Sequence, residues 1–337
     1  MKNNSKFINF VKRFPVQLGA AFLIPTIAYT CSYLVSFDVV YHNLYYGGER
    51  ISADHEHFEL TGIKRVADVM QVASMFSYQG GTCYKNYYTV VADNFEAILI
   101  YNTDTMKVEH SISTDIINTE WHCNQIFFGS DFYSASDKFP ILYISMENPK
   151  VHSLFAFRIY QLSGVYYVKQ IQQIKLVFDE GGTIYYPNAF YDYSTNRLYY
   201  VGYTKNSYMS EPDNYLRYYQ FYLPDYRIEQ TEFKTSNSIE EPFELPSETA
   251  GQGGFISNGY LYQTFSFASK TDPLKTPKMK IVDLSNHKIV YDNQNLGEAF
   301  GVYKEFEHLA INESGHMYSL GNPFDIYEFE YVKVSKE

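Results

Sequence analysis

The sequence predicts an all-β chain assembled from repeated units of short strands. Three observations carry that prediction. Strand-like runs such as Tyr87-Tyr88-Thr89-Val90-Val91, Ala97-Ile98-Leu99-Ile100-Tyr101, Ile141-Leu142-Tyr143-Ile144-Ser145 and Leu198-Tyr199-Tyr200-Val201-Gly202 dominate beyond residue 37, where helical periodicity is almost absent. Polar turn signals separate them: Asn102-Thr103-Asp104, Ser194-Thr195-Asn196, Ser257-Asn258-Gly259 and Asn312-Glu313-Ser314-Gly315. The pattern also recurs, with a period of roughly 45–60 residues.

Composition agrees with strands. The 337 residues include 35 Tyr and 26 Phe but one Trp, and aromatic residues are most at home in β-structure and on carbohydrate-contacting surfaces. Charged residues make up 19%, below the roughly 25% of an average domain, and form no like-charge block, so wholesale disorder is excluded. A net charge of −11 leaves no basic surplus to displace phosphate counterions, which excludes nucleic acid as a partner.

The amino terminus stands apart. Lys2, Lys6, Lys12 and Arg13 precede a run of 24 residues, Phe14–Phe37, without a charged side chain. A basic lead followed by an apolar run is the pattern of a signal peptide or membrane anchor, here an apolar helix over residues 1–37. Pro25 is tolerated in a bilayer helix. The run is long enough to span and remain, it can be cleaved although it lacks a good Ala-x-Ala site, or Cys31 can be the acylated first residue of a lipoprotein. Each fate puts the remainder, one domain over residues 38–337, in the cell envelope or outside the cell, with the membrane as a partner of the N-terminal segment. Cys83 and Cys123 are compatible with that address. Two buried free thiols are preferred over a disulfide between them, because two cysteines are no disulfide framework.

The units can be followed in order. Unit one runs from Gln79-Gly80-Gly81 to Lys107-Val108-Glu109. Unit two runs from His122-Cys123-Asn124 to Val168-Lys169-Gln170-Ile171, and unit three from Tyr186-Pro187-Asn188 to Arg227-Ile228-Glu229. Unit four opens at Gly251-Gln252-Gly253-Gly254 and contains Ile281-Val282-Asp283-Leu284 and Lys288-Ile289-Val290. Unit five runs from Glu307-His308-Leu309-Ala310 to Ile326-Tyr327-Glu328-Phe329. Four short strands per unit at this period are the signature of propeller blades. Unit five lacks a strand, which Gly62–Gln79 can supply from the other end of the chain, so five blades is the first reading. Six or seven are the alternatives, a sixth being drawn from Ser36–Met75.

The phrases Ile281-Val282-Asp283-Leu284 with Lys288-Ile289-Val290, and Ile100-Tyr101-Asn102 with Lys107-Val108, resemble the third-strand, turn, fourth-strand element of β-propeller repeat proteins. The resemblance covers about 260 residues and rests on repeat form. No Gly-His and Trp-Asp series marks a WD40 protein, and the chain looks most like the uncharacterised secreted propellers of gut bacteria.

In a propeller the first strand of each blade lines the central channel, and ligands bind where it opens. The unit openings place Gln79, Trp121, His122, Asn124, Asn188, Gln252 and His308 there as ligand-binding candidates. Amides donate to and accept from sugar hydroxyls, and aromatic faces stack on sugar C–H surfaces. Polar channel residues also serve simply to satisfy backbone groups. For catalysis the candidates are His122, His308 and Glu307, since a histidine can take a proton at neutral pH. The openings are otherwise nearly free of carboxylates, against the facing pair that glycoside hydrolysis requires. No nucleophile elbow, phosphate loop or His-Glu-x-x-His motif occurs.

The cluster Asp54-His55-Glu56-His57-Phe58-Glu59 is read as a solvated connector rather than a zinc site, although a strand would put His55, His57 and Glu59 on one face. The acids of Gly129-Ser130-Asp131 and Asp137 are read as ordinary loop residues, and Tyr215, Tyr218, Tyr219 and Tyr222 largely as packing between blades. No metal or cofactor is expected. The expected function is an exported, envelope-tethered propeller that binds a carbohydrate or other polar ligand at the channel mouth. The alternatives are a lyase or glycosidase on the same scaffold, and a scaffold for another envelope protein.

Overall fold

The structure, a computed structural model, describes residues 56–68, 78–116, 122–146, 152–265, 267–321 and 325–335. The N-terminal signal or anchor segment, Cys31, His55 and Trp121 lie outside the described residues. Among the described residues no helix is long and apolar enough to cross a membrane.

Strand β1 (Glu56–Asp68) comes first in the chain but last in the ring. Blade one is β2 (Tyr78–Tyr84), β3 (Tyr87–Ala92), β4 (Ala97–Asn102) and β5 (Lys107–Ser113). Blade two is β6 (Gln125–Phe128), β7 (Leu142–Ser145), β8 (Ser153–Leu162) and β9 (Val165–Val177). Blade three is β10 (Tyr185–Asp192), β11 (Arg197–Tyr203), β12 (Tyr215–Tyr222) and, after β13 (Gln230–Lys234), β14 (Phe243–Pro246). Blade four is β15 (Gly251–Ser257), β16 (Tyr260–Phe265), β17 (Lys278–Asp283) and β18 (Lys288–Asn293), followed by the short helix α1 (Leu296–Phe300). Blade five is β19 (Ala310–Ile311), β20 (Met317–Gly321) and β21 (Asp325–Ser335), and β1 pairs antiparallel with β21 as its outer strand. The chain is a five-bladed β-propeller closed by strands from both ends.

Local sequence explains the hairpins. Asn258 and Gly259 both have positive φ, 55° and 77°, the conformation of the two-residue turn whose twist matches flanking strands. Asp283 Oδ1 accepts from the backbone N–H groups of Ser285 and Asn286 at 3.0 and 3.2 Å, and Asp192 does the same for Ser194 at 2.9 Å. These side chains stand in for backbone acceptors and hold the chain in its reversal.

Cores lie between neighbouring blades, and strand alternation distributes side chains to both sides. Tyr219 and Phe221 pack toward blade two with Phe127, Tyr143 and Leu198, while Tyr218 packs toward blade four with Phe243, Leu261 and Val282. The tyrosine patch is thus packing at Tyr218 and Tyr219, whereas Tyr215 and Tyr222 at the strand ends are exposed. Cys83 and Cys123 are buried free thiols, and Cys123 Sγ donates to Met146 Sδ at 3.7 Å.

Two boundaries differ from the sequence reading. The closing strand begins at Glu56, six residues before Gly62, because Phe58 and Leu60 are core residues: Phe58 stacks on Tyr262 and lies 4.4 Å from the Tyr331 ring. Glu56 to Glu59 are therefore strand and not a solvated connector, with His57 buried and its Nε2 2.9 Å from Glu59 Oε1. Unit three also ends later than Glu229. Residues Gln230–Lys234 leave their own blade and pair in parallel with β9 of blade two, where Phe233 stacks on Phe221 at 4.5 Å; the fourth strand of blade three is β14.

Candidate functional site

The inner strands meet so closely that side chains fill the axis. Gly80, Gly81, Gly253 and Gly254 stand where strands approach, and a methyl group at Gly253 would lie 2.6 Å from Gln125 Oε1 and 2.9 Å from His308 Cβ. Gln125 of blade two bridges to blade four as a strand would: its Oε1 accepts from Gly254 N at 2.7 Å and its Nε2 donates to Gly254 O at 2.9 Å. Asn124 and Asn188 both donate to Gly251 O, at 3.2 and 3.4 Å. These amides satisfy backbone groups of glycine-rich strands that have no neighbour to pair with across the axis.

His308 belongs to that plug. Its ring is fully buried, with Nδ1 2.6 Å from Gln79 O and Nε2 2.5 Å from Tyr88 Oη. Desolvation holds the imidazole down at about 4, only partly countered by the bond to the Gln79 carbonyl. Both nitrogens are engaged and the group stays neutral, so His308 lacks the exposed nitrogen a general base requires. Glu307 is also buried; its backbone N–H donates to Leu320 O and its carbonyl accepts from Gly253 N, both at 2.9 Å.

Above the plug lies a cavity of about 250 Å³ lined by Gln79, His122, Tyr186, Tyr208, Ala250, Gln252, Phe267 and Glu305. Every blade contributes. Gln79 comes from β2, His122 from the approach to β6, and Tyr186 from β10; Gln252 comes from β15 and Glu305 from the approach to β19. The cavity is the mouth of the propeller axis. Tyr186 sits at a register shift between Tyr185 and Asn188 with φ +51°, and Ala250 has φ +48°. Side chains rarely accept that region, and strained backbone of this kind concentrates at functional sites.

The chemistry at this mouth is sorted by position. Tyr186, Tyr208 and Phe267 form an aromatic wall, with Tyr186–Tyr208 centroids 5.5 Å apart at 88° and Tyr208–Phe267 centroids 6.4 Å apart at 78°. Gln252 donates from Nε2 to Glu305 Oε1 at 3.2 Å and receives no hydrogen bond at its buried Oε1 among the described residues. His122 Nδ1 lies 2.5 Å from Asp93 Oδ1, and the Asp93 carbonyl accepts from Cys123 N at 2.8 Å. Asp93 thereby fixes both the ring and the backbone of this segment, with the ring tautomer set by the carboxylate. Among the described residues lining the mouth, none is lysine or arginine.

Of the positions singled out in the sequence, Gln79, His122 and Gln252 line the cavity, whereas Asn124, Asn188 and His308 are buried in the plug beneath it. Asp93, Tyr186, Tyr208, Phe267 and Glu305 complete the site. Tyr208 and Phe267 lie on excursions after the second strands of blades three and four, which the unit-opening rule passes over. The hairpin position of Asp93, directly after β3, carries no mark of its reach to the next blade. No group of His, Cys, Asp and Glu among the described residues has the arrangement of a metal site, and Asp137 is bound at both oxygens by Arg158 at 2.7 and 2.8 Å.

No family model and no curated protein sequence matches the chain. Among solved structures it is similar to the glutaminyl cyclase of Myxococcus xanthus, at 10% identity and a TM-score of 0.44 over 84% of this chain and 99% of that one. It is similar also to a glucose dehydrogenase at 10% identity and 0.45 over 80% and 99%, and to a further glucose dehydrogenase at 10% and 0.44 over 82% and 100%. The five-bladed architecture rests on the strand pairing itself.

Proposed function

We propose that the chain is an exported, envelope-tethered propeller whose axial mouth binds a carbohydrate or a similarly polar ligand. The composition of the mouth supports this reading. An aromatic wall of Tyr186, Tyr208 and Phe267 faces the amides Gln79 and Gln252 across a cavity contributed by all five blades. Stacking surface plus amide donors and acceptors is the combination that suits a sugar ring, apolar on its faces and polar on its rim. The basic lead and uncharged run of residues 1–37 supports export and tethering.

The test is a thermal-shift screen of the full chain in mild detergent against a glycan panel. One glycan class is expected to raise the midpoint, and Tyr208→Ala is expected to abolish the gain while leaving the unliganded midpoint nearly unchanged, because Tyr208 is 42% exposed. The same stabilisation in wild type and Tyr208→Ala, or none with any glycan, would refute the reading.

The His122–Asp93 pair favours a second reading, general-base catalysis on the same ligand. The carboxylate would hold the ring and stabilise its charged form while His122 takes a proton. Release of unsaturated or reducing ends, lost in His122→Gln, would move the assignment from binding module to enzyme.

A further inference from the structure

The charge inventory of the mouth narrows the ligand further. Glu305 is the carboxylate of the lining, and Asp93 stands directly behind His122. No lysine or arginine lines the cavity among the described residues, and the chain as a whole carries −11. A uronic acid, sulfate or phosphate would meet the Glu305 carboxylate in a half-enclosed mouth where, among the described lining residues, His122 is the one basic side chain and its Nδ1 already holds Asp93, which is unfavourable. A cation meets the opposite conditions. Aromatic faces carry negative quadrupole potential and attract ammonium groups, so Tyr186, Tyr208 and Phe267 form a wall suited to one. Glu305 supplies the charged acceptor, and Gln252, whose Nε2–H is committed to Glu305, orients that carboxylate.

We propose that the mouth selects an ammonium group, and that its ligand is an amino sugar with a free, protonated amine. Glu305 accepts the N–H bonds of the ammonium while the aromatic wall covers the adjoining C–H face of the sugar ring. N-acetylation removes the charge and adds a bulky acyl group, so an acetylated sugar loses both the ion pair and the cation–π attraction. Glu305 sets the specificity of the site. The inference rests on the mouth being a carbohydrate site.

The experiment is calorimetric titration of the full chain in mild detergent, buffered below the pKa of the sugar amine. Four probes are used: a glucosamine tetramer, the matching N-acetylglucosamine tetramer, a uronic-acid tetramer, and lysine methyl ester as an amine without a sugar. The glucosamine tetramer is expected to bind at least about tenfold more tightly than the acetylated one, as one charge-assisted hydrogen bond with a partly desolvated cation–π contact provides. Glu305→Gln preserves the shape and the contact with Gln252, and is expected to bring the two tetramers within about twofold of each other. Equal binding of the two tetramers by wild type, or tighter binding of the uronic acid, overturns the ammonium preference and leaves the carbohydrate reading standing. Glu305-dependent binding of lysine methyl ester as tight as that of the amino sugar supports the ammonium site and removes the carbohydrate reading. Binding of none of the four overturns both.

Discussion

Gly81→Ala tests the claim that the propeller axis is a packed plug rather than an open channel. A methyl carbon at Gly81 would lie 1.9 Å from His308 Nε2, 2.3 Å from Cε1 and 2.5 Å from Cδ2. The backbone of Gly81 is outside the positive-φ region, so the cost is steric and not conformational. His308 is fully buried and cannot swing into solvent, and moving the ring off the methyl breaks its contacts with Gln79 O and Tyr88 Oη. Overpacking a close-packed interior costs about 1–3 kcal/mol and an unsatisfied buried partner about 1–3 more, which sets the expected loss at about 4 kcal/mol. For a domain of this size that corresponds to a fall of about 7 °C in Tm. Urea unfolding of wild type, Gly81→Ala, His308→Ala and the double variant measures it. In the His308→Ala background the methyl group finds space, and the cost of Gly81→Ala is expected to drop below about 1 kcal/mol. A cost under about 1 kcal/mol in the wild-type background, or an equal cost in both, would show that the ring does not occupy the axis as described.

Two further predictions concern buried charge. His308 titrates at about 4 in the folded chain against 6.5 when unfolded, so it makes no contribution to pH dependence above 6.5; as pH falls below that, the unfolded chain takes up a proton that the native state refuses. Between pH 7 and pH 4.5 this removes about 2–3 kcal/mol of stability, and His308→Gln is expected to lose that much less over the same interval in urea titrations; parallel losses in the two proteins would place His308 in a solvated setting. Glu248, in the connection between blades three and four, meets Lys278 Nζ of blade four with Oε2 at 3.0 Å and Lys280 Nζ with Oε1 at 2.8 Å, with both lysine side chains at most 6% exposed. Burial alone would raise the Glu248 carboxyl, but the two ammonium groups outweigh it and hold the group below its usual range. Glu248→Gln removes the carboxylate from Lys278 and leaves Lys280 only the more distant Asp292, and is expected to cost about 3 kcal/mol in urea unfolding. Asp292→Asn, 3.6 Å from Lys280 Nζ and 39% exposed, is expected to cost less than about 1 kcal/mol, and equal losses from the two substitutions would refute the burial argument.

The blade pattern was legible because it is local. A hairpin needs period-two alternation and a turn residue that accepts the reversal, and Ser257-Asn258-Gly259 or Asp283-Leu284-Ser285-Asn286 display both within a few positions. The missing strand of blade five was legible for a related reason, since a closed ring cannot leave one blade short of its partner without exposing a strand edge. Where that strand begins was not. The polar pair His57 and Glu59 frames Phe58, and only the stacking of Phe58 on Tyr262 reveals that the segment belongs to the sheet. The detour of Gln230–Lys234 into blade two was equally hidden, because a strand that adds in parallel to a neighbour has the same alternation as one that completes its own blade.

What the sequence determined by itself was the repeated β architecture, the ring closed from both ends, and the polar, glycine-rich openings of the units. What the tertiary structure decided was which of those openings reach the mouth. Gln79, His122 and Gln252 line it; Asn124, Asn188 and His308 lie in the plug, satisfying backbone groups. The difference is one of height along an axis where five inner strands converge, and each strand's twist and bulges set that height. Asp93, Tyr208, Phe267 and Glu305 enter the site from hairpins, excursions and a connector, brought together only by the closing of the ring. Such a site is a property of five blades at once, and no single stretch of sequence carries it.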